Sequence, residues 1–177
     1  MCPPMDVAPD DESRAETALA NISSALWRIR ELLDLLTFKL ETEQVLVAAG
    51  RSRWLGRATH EVELVLEELR HAELRRLIEL GDVTEALGLN PDLSLGELAE
   101  AAPAPWNDVL ADHRETLINA TTEISALAES NRELLDSSYN ALQEALGLLS
   151  PTTEPSLYTA DGGTSVPTTR RLFDQST

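Results

Sequence analysis

The stretch that decides the fold covers residues 19–47 and reads LANISSALWRIRELLDLLTFKLETEQVLV. Its large aliphatic residues recur at alternating spacings of three and four, with only Glu43 interrupting the row. The row consists of Leu19, Ile22, Leu26, Ile29, Leu33, Leu36, Leu40 and Val47. Such spacing is typical of a coiled-coil seam, here over about four heptads. A second apolar row widens the stripe, so we expect this helix to contact more than one neighbour.

The apolar pattern resumes after residue 50, close to the phase of the first run. Its members are Trp54, Ala58, Val62, Val65, Leu69 and Leu77. Neither a proline nor a cluster of polar loop residues separates the two runs, although Gly50 and Gly56 each lower helix propensity by roughly 1 kcal/mol. We therefore favour one long helix over residues 15–80 that is kinked between the two glycines, with the side chain of Trp54 filling the seam, and a turn of the chain at this point is the open alternative.

Further along the chain, glycine, serine and proline mark the helix ends. Gly81 stands where a C-terminal cap belongs, so we expect the long helix to end there. Ser94, with Glu97 three residues on, forms a capping-box sequence that predicts a short helix over residues 95–102. Apolar residues with helical spacing then predict a final helix over about 106–149, which can pack antiparallel on the first rod.

These elements predict an all-α protein, a long antiparallel coiled-coil helical hairpin or three-helix bundle with a short helix in the connection. Residues 1–12 contain three prolines and four acidic residues, which predicts a flexible N-terminal arm. Residues 13–150 form the predicted helical domain. Residues 151–177 are rich in Pro, Thr, Ser and Gly, which predicts a flexible C-terminal tail.

Charge and composition narrow the range of partners. Fourteen Lys and Arg stand against thirty-one Asp and Glu, giving a formal net charge of -17. Such a charge repels phosphate backbones and anionic membrane surfaces, so we predict no nucleic-acid partner and no membrane insertion. The chain also has no apolar run of the ~20 residues that a membrane span needs. We expect a cytoplasmic protein in which Cys2, the only cysteine, is a free thiol.

Signatures of catalysis and metal binding are scarce in the sequence. Di-iron bundles use two Glu-x-x-His pairs on separate helices, and only Glu68 with His71 has that spacing here. The sequence contains no Gly-x-Ser-x-Gly, no Gly-rich phosphate loop and no paired cysteines. We therefore predict that the protein is not an enzyme and has no cofactor, metal site or small-molecule substrate.

Two features leave alternatives open. Trp54-Leu55-Gly56 between amphipathic segments is similar to the turn of secreted WXG-type helical hairpins, and a structural coiled-coil scaffold is a related possibility. Asn131 lies on the seam of the last helix, where a polar group commonly fixes the register of a helix pair. Spacing alone equally allows a partly exposed side chain at a bundle end.

Ten short segments together carry a resemblance to a known family. They are LLDLLTFKLE (32–41), AAGR (48–51), RWL (53–55), EVE (61–63), ELRR (73–76), LGL (87–89), LGELAEAA (95–102), PW (105–106), DHR (112–114) and NRELL (131–135). Their order and spacing resemble the FlgN-type flagellar export chaperones, especially those of high-GC Gram-positive bacteria. The resemblance implies a helical chaperone without enzymatic activity that binds the C-terminal helices of hook-filament junction proteins (FlgK/FlgL type). It would prevent their premature assembly and deliver them to the flagellar export gate.

By position, the resemblance places the surface that binds the substrate protein on the last helix. The implied residues are Asn131, Leu134, Leu135, Tyr139, Leu142, Leu146 and Leu149. The apolar pattern agrees, because this run carries more apolar rows than one antiparallel neighbour can cover. Burial of the flanking row inside a three-helix bundle is the alternative. The resemblance also implies that Tyr158, which Gly162-Gly163 follows, contacts the export gate.

Overall fold

The computed structural model describes residues 9–149, with side chains from 12 to 148, and these residues form four helices. The helices are α1 (Pro9–Ala48), α2 (Ser52–Leu87), α3 (Leu95–Ala101) and α4 (Trp106–Leu149). No strand occurs in this part of the chain, which confirms the predicted all-α class. Helix α1 begins four residues before the expected start at residue 13. The chain divides into two units, the first ending at Ala141 and the second beginning at Leu142.

The chain reverses direction at residues 49–51, so the prediction of one kinked rod over residues 15–80 is wrong. Gly50 adopts the left-handed conformation, with φ 64°. Around it, the Arg51 N–H donates to the carbonyl oxygen of Leu46 at 2.9 Å, and the Gly50 N–H donates to that of Val47 at 3.0 Å. This pair of hydrogen bonds is a Schellman motif, in which a single left-handed glycine ends the helix. The chain can therefore turn here without a proline.

Helix α2 also continues beyond the predicted end at Gly81, and it ends at Leu87. Gly88 supplies the left-handed residue there, with φ 66°. The additional turns bring Val83 and Thr84 into the interior, where they expose 0% and 3% of their surface. Burial of these side chains outweighs the low helix propensity of Gly81, which is why the predicted helix end at residue 80 is seven residues too early.

The WXG-type interpretation does not match the position of the turn. Trp54, Leu55 and Gly56 lie within α2, whereas the chain reverses before them. Trp54 was predicted to fill the seam, but 46% of its surface is exposed. The motif therefore does not form the loop between the two helices.

The short helix α3 and the start of α4 agree with the elements predicted from the sequence. Ser94 accepts a hydrogen bond from the Glu97 N–H at 3.3 Å, and its own N–H donates to the Glu97 carboxylate at 2.7 Å. These reciprocal bonds form the predicted capping box of α3. Helix α4 covers residues 106–149, as predicted.

Cross-helix contacts of the first unit define the directions of its three long helices. Helix α2 runs antiparallel to α1, since Arg14 pairs with Glu85 at one end and Lys39 with Glu61 nearer the turn. Helix α4 runs parallel to α1, since Ser23 of α1 is hydrogen-bonded to His113 of α4 and, further along both helices, Gln44 is hydrogen-bonded to Ser130. Helix α4 therefore runs antiparallel to α2, and the expectation that it is antiparallel to the first part of the predicted rod, α1, is wrong.

The buried apolar side chains form two clusters along this bundle. The first consists of Ala18, Leu19, Ile22, Leu26, Leu80, Val83, Leu98, Ala99, Ala102 and Leu110. The second consists of Ile29, Leu32, Leu33, Leu36, Leu40, Val62, Val65 and Ala72. Seven of the eight α1 seam residues lie in these clusters, so the heptad pattern correctly identified the core-facing side of α1. Each fully buried Leu or Ile contributes about 1.5–3 kcal/mol of transfer free energy.

Candidate functional site

The first of the predicted substrate-binding residues, Asn131, lies inside the bundle. Only 3% of its surface is exposed. Its Nδ2 donates to the carbonyl oxygen of Leu40 at 2.8 Å and to Oε2 of Glu43 at 3.4 Å. Asn131 thus makes the cross-helix hydrogen bonds expected of a residue that fixes register. In this structure it joins α4 to α1, and its contact with a substrate protein stays a prediction.

Glu43, the interruption of the α1 seam, completes a polar layer across the bundle. Its side chain is buried and accepts a hydrogen bond from Oγ1 of Thr59 at 2.6 Å as well as the bond from Asn131. Nearby, Nε2 of Gln44 donates to Oγ of Ser130 at 3.0 Å. This layer ties α1 to α2 through Thr59 and to α4 through Nδ2 of Asn131, whereas the buried Oδ1 of the same amide has no hydrogen-bond partner among the described residues. Buried polar groups that bond across helices favour one helix register over its neighbours.

Beyond the polar layer, the exposure of α4 rises sharply. Leu134 and Leu135 are half-buried, and every residue from 136 to 141 is exposed. Tyr139 exposes 60% of its surface. In the first unit, therefore, the predicted surface consists of one buried, two half-buried and one exposed residue.

The second unit contains the other predicted residues of α4. All of its described side chains, residues 142–148, are exposed. Leu142 and Leu146 expose 57% and 50% of their surfaces, and Leu148 exposes 88%. The side chain of Leu149 and all of Tyr158 lie outside the described residues. Three exposed leucines in seven residues are unusual for a surface helix, because such side chains are normally turned towards a core.

A buried histidine near the start of α4 lies at the centre of a polar cluster that the sequence did not predict. His113 exposes 1% of its surface, and its Nδ1 lies 3.3 Å from Nη1 of Arg30. Because a guanidinium can only donate, Nδ1 is the acceptor and Nε2 carries the proton, which it donates to Oγ of Ser23 at 3.1 Å. Its position between two seam leucines, Leu110 and Leu117, was the signal that could have identified it.

The surroundings of His113 favour the neutral ring. Burial and the nearby Arg30 lower the pKa of His113, and Asp112 opposes this shift only partly. Arg30 pairs with Asp112 at 2.8 Å and lies 4.2 Å above the ring of Trp27. The Trp27 ring in turn meets His113 edge to face at 5.1 Å. The cluster joins α1 to α4 and leaves His113 no solvent-facing nitrogen for acid-base chemistry.

The described residues give no support for metal chemistry. Among them, no three His, Cys, Asp or Glu side chains come together as a group that could hold a metal ion. Of the single Glu-x-x-His pair, His71 is exposed, and Glu68 approaches Arg28 at 3.8 Å. These two side chains therefore belong to a solvated helix surface.

Comparison with known proteins identifies the family. The family model described as FlgN protein matches residues 18–165, more than half of the chain. The chain belongs to the FlgN family. FlgN proteins are a chaperone family and are not known for enzymatic activity, and membership supports a role in flagellar synthesis and export. The resemblance seen in the sequence is thereby confirmed.

Two curated FlgN relatives are similar over nearly their whole length. They are the flagella synthesis proteins FlgN of Salmonella typhimurium and Salmonella typhi. Each is 28% identical over 148 residues, which cover 78% of this chain and 91% of the relative. No solved structure matches. Within residues 9–149, no helix has both the length and the apolar character needed to cross a bilayer.

Proposed function

We propose that this FlgN-family protein is a cytoplasmic export chaperone that binds the C-terminal helices of hook-filament junction proteins. The C-terminal part of α4 supplies the binding residues, and the bound cargo is prevented from assembling and is delivered to the export gate. Tyr158 is the proposed contact to that gate. The observation that supports this proposal is that every residue from 136 to 141 of the first unit and every described side chain of the second unit is exposed, among them Tyr139, Leu142 and Leu146.

The physical argument starts from the free energy of exposed apolar surface. Leu142 and Leu146 lie four residues apart on one face of α4 and expose 57% and 50% of their surfaces. Covering them would contribute at most about 1.5–3 kcal/mol each, before the costs of association and side-chain ordering are subtracted. A cargo helix that polymerises through its own apolar face offers a matching surface, and it would lay that face along α4. The net charge of -17 then helps to keep the complex soluble.

The decisive experiment compares Leu142→Glu with a matched variant outside the proposed surface. Leu74 of α2 exposes 63% of its surface, close to the 57% of Leu142, so Leu74→Glu introduces the same change at a similar exposure. Each full-length variant is titrated calorimetrically with the C-terminal helical segments of hook-filament junction proteins from its own organism. We expect Leu142→Glu to weaken binding at least tenfold, since a central apolar contact is worth about 1.4 kcal/mol or more, and Leu74→Glu to leave it unchanged.

Circular dichroism, the binding titration and sedimentation together separate this proposal from the alternatives. Far-ultraviolet circular dichroism should be the same for both variants, because neither side chain is buried. Equal binding by wild type and Leu142→Glu would refute the assignment of this surface. A stable dimer by sedimentation without cargo, together with no binding of any junction segment, would instead favour the structural scaffold.

A further inference from the structure

The turn between α1 and α2 carries an electrostatic character opposite to that of the whole chain. Residues 44–60, here named the hairpin tip, contain three arginines and no acidic residue, in a protein whose net charge is -17. Every residue from 48 to 54 is exposed. Arg57 is already paired with Glu61 at 3.1 Å, whereas the described residues offer no carboxylate partner to Arg51 or Arg53.

The hairpin tip also presents an aromatic ring to solvent. Trp54 exposes 46% of its surface, and the guanidinium of Arg53 lies 5.1 Å from the ring centroid. Val45, on the α1 side of the turn, exposes 65%. Aromatic and arginine side chains are the types enriched where binding energy concentrates in protein interfaces. The tip thus combines apolar anchors with unneutralised positive charge.

Of the two exposed tryptophans, only Trp54 lies beside an arginine that has no carboxylate partner among the described residues. The other exposed tryptophan, Trp27, is also stacked by an arginine, Arg30, at 4.2 Å. There, however, Asp112 neutralises the guanidinium at 2.8 Å, and the same pair supports the buried His113. The Trp27 pair therefore has a structural partner on α4, and the described residues provide no such partner for the Arg53 and Trp54 pair.

We propose that the hairpin tip is a second docking surface, which binds an acidic amphipathic helix of another protein. Trp54 and Val45 contact the apolar face of that helix, and Arg51 and Arg53 bind its flanking carboxylates. This surface lies at the α1–α2 turn and uses none of the α4 residues assigned to the export cargo.

The number of charges favours a protein over an anionic membrane. Polybasic segments that hold to anionic lipid typically contain 4–8 Lys or Arg near the surface. The hairpin tip has three, one of them paired with Glu61, and the remainder of the chain is repelled by the same lipid. Two discrete guanidinium groups, of which that of Arg53 lies 5.1 Å from the Trp54 ring centroid, are better matched to carboxylates at fixed positions on a helix.

The test uses three synthetic helical peptides that share one leucine face and carry Glu, Gln or Lys on their flanks. Each labelled peptide is titrated with the full-length protein and followed by fluorescence anisotropy. We expect the Glu peptide to bind most tightly, and its binding to weaken as salt rises. Trp54→Ala and the double variant Arg51→Glu with Arg53→Glu should each lower the affinity by about tenfold. Arg70→Glu, an exposed arginine elsewhere on α2, is the matched control and should change it less than about twofold.

Every other outcome would overturn the proposal. These outcomes are absence of binding, equal affinity for the three peptides, or binding that the tip variants leave unchanged. Sedimentation of phosphatidylglycerol vesicles with the wild type but not with the double variant would assign the tip to a lipid surface. A dimer that Trp54→Ala abolishes would assign it to a second copy of the chain. Titration of the same variants with junction-protein helices should show unchanged affinity, which keeps this test independent of the cargo assignment.

Discussion

Replacing Gly81 and Gly88 by alanine, one at a time, should change the stability of the protein in opposite directions. Gly81 lies within α2, and an added Cβ would meet nothing within 4 Å. Alanine in a helix interior is favoured over glycine by about 1 kcal/mol, so Gly81→Ala should stabilise the fold by roughly that amount. Gly88 has φ 66°, where an L side chain is disfavoured by about 1–2 kcal/mol, so Gly88→Ala should destabilise it.

The two variants should therefore differ by about 2–3 kcal/mol in the free energy of unfolding. In a chain of this size, each kcal/mol moves the melting temperature by roughly 2–4 °C. Urea unfolding followed by circular dichroism measures the difference, provided that both variants have the same dependence of free energy on denaturant. A destabilising Gly81→Ala, or a neutral Gly88→Ala, would refute the assignment of the helix end to residue 87.

Two further predictions concern the core and the buried histidine. Leu26→Ala should lower the free energy of unfolding by about 2–5 kcal/mol, because Leu26 is fully buried. Phe38→Ala should lower it much less, because Phe38 exposes 58% of its surface. Urea unfolding of both variants measures this difference. The folded-state pKa of His113 lies below its ordinary value of 6.5, so the unfolded chain takes up this proton first as the pH falls. The stability contributed by neutral His113 is fully present above pH 6.5 and is lost below it, by at most about 1.4 kcal/mol per pH unit. Unfolding between pH 7.5 and pH 5 should show this loss in the wild type and a smaller one in His113→Gln; parallel pH profiles would contradict it.

The parts of the fold that the sequence predicted are those determined by local chemistry. The capping box at Ser94 and Glu97 needs only two side chains three residues apart, and it forms as expected. The extent of α4 was predicted correctly because an uninterrupted helical pattern follows the two prolines at 103 and 105. The buried side of α1 likewise follows from its heptad spacing.

The errors concern glycines and the partners of each helix. Gly50 and Gly81 are chemically identical in the sequence, yet one forms a turn and the other is helical. Which of them ends a helix depends on the tertiary burial of the residues around it, and local propensity does not record that burial. The chain reversal at 49–51 makes α4 parallel to α1, so favouring a continuous helix there also led to the wrong orientation of α4 relative to α1.

The sequence predicted the candidate site only in part, because it does not show which apolar residues a neighbouring helix covers. An apolar stripe with helical spacing has the same pattern whether a neighbouring helix covers it or solvent does. Asn131 and Leu142 were grouped by position, but the structure buries the first and exposes the second. The positive hairpin tip was in principle visible in the sequence, because residues 44–60 lack acidic residues, but its exposure required the turn to be located first.

The continuity of α4 explains how an apolar segment can be exposed and still be helical. An isolated helix of the length of residues 136–149 would be marginal in water, because forming its first turn fixes several residues for a single hydrogen bond. Helix α4, however, is already helical through the core contacts of its N-terminal part, with Leu110 fully buried and Asn131 bonded to α1. The following residues extend an existing helix, so each added hydrogen bond fixes only one more residue. A cargo helix would then meet a preformed surface, and little of its binding free energy would be lost to ordering the chaperone.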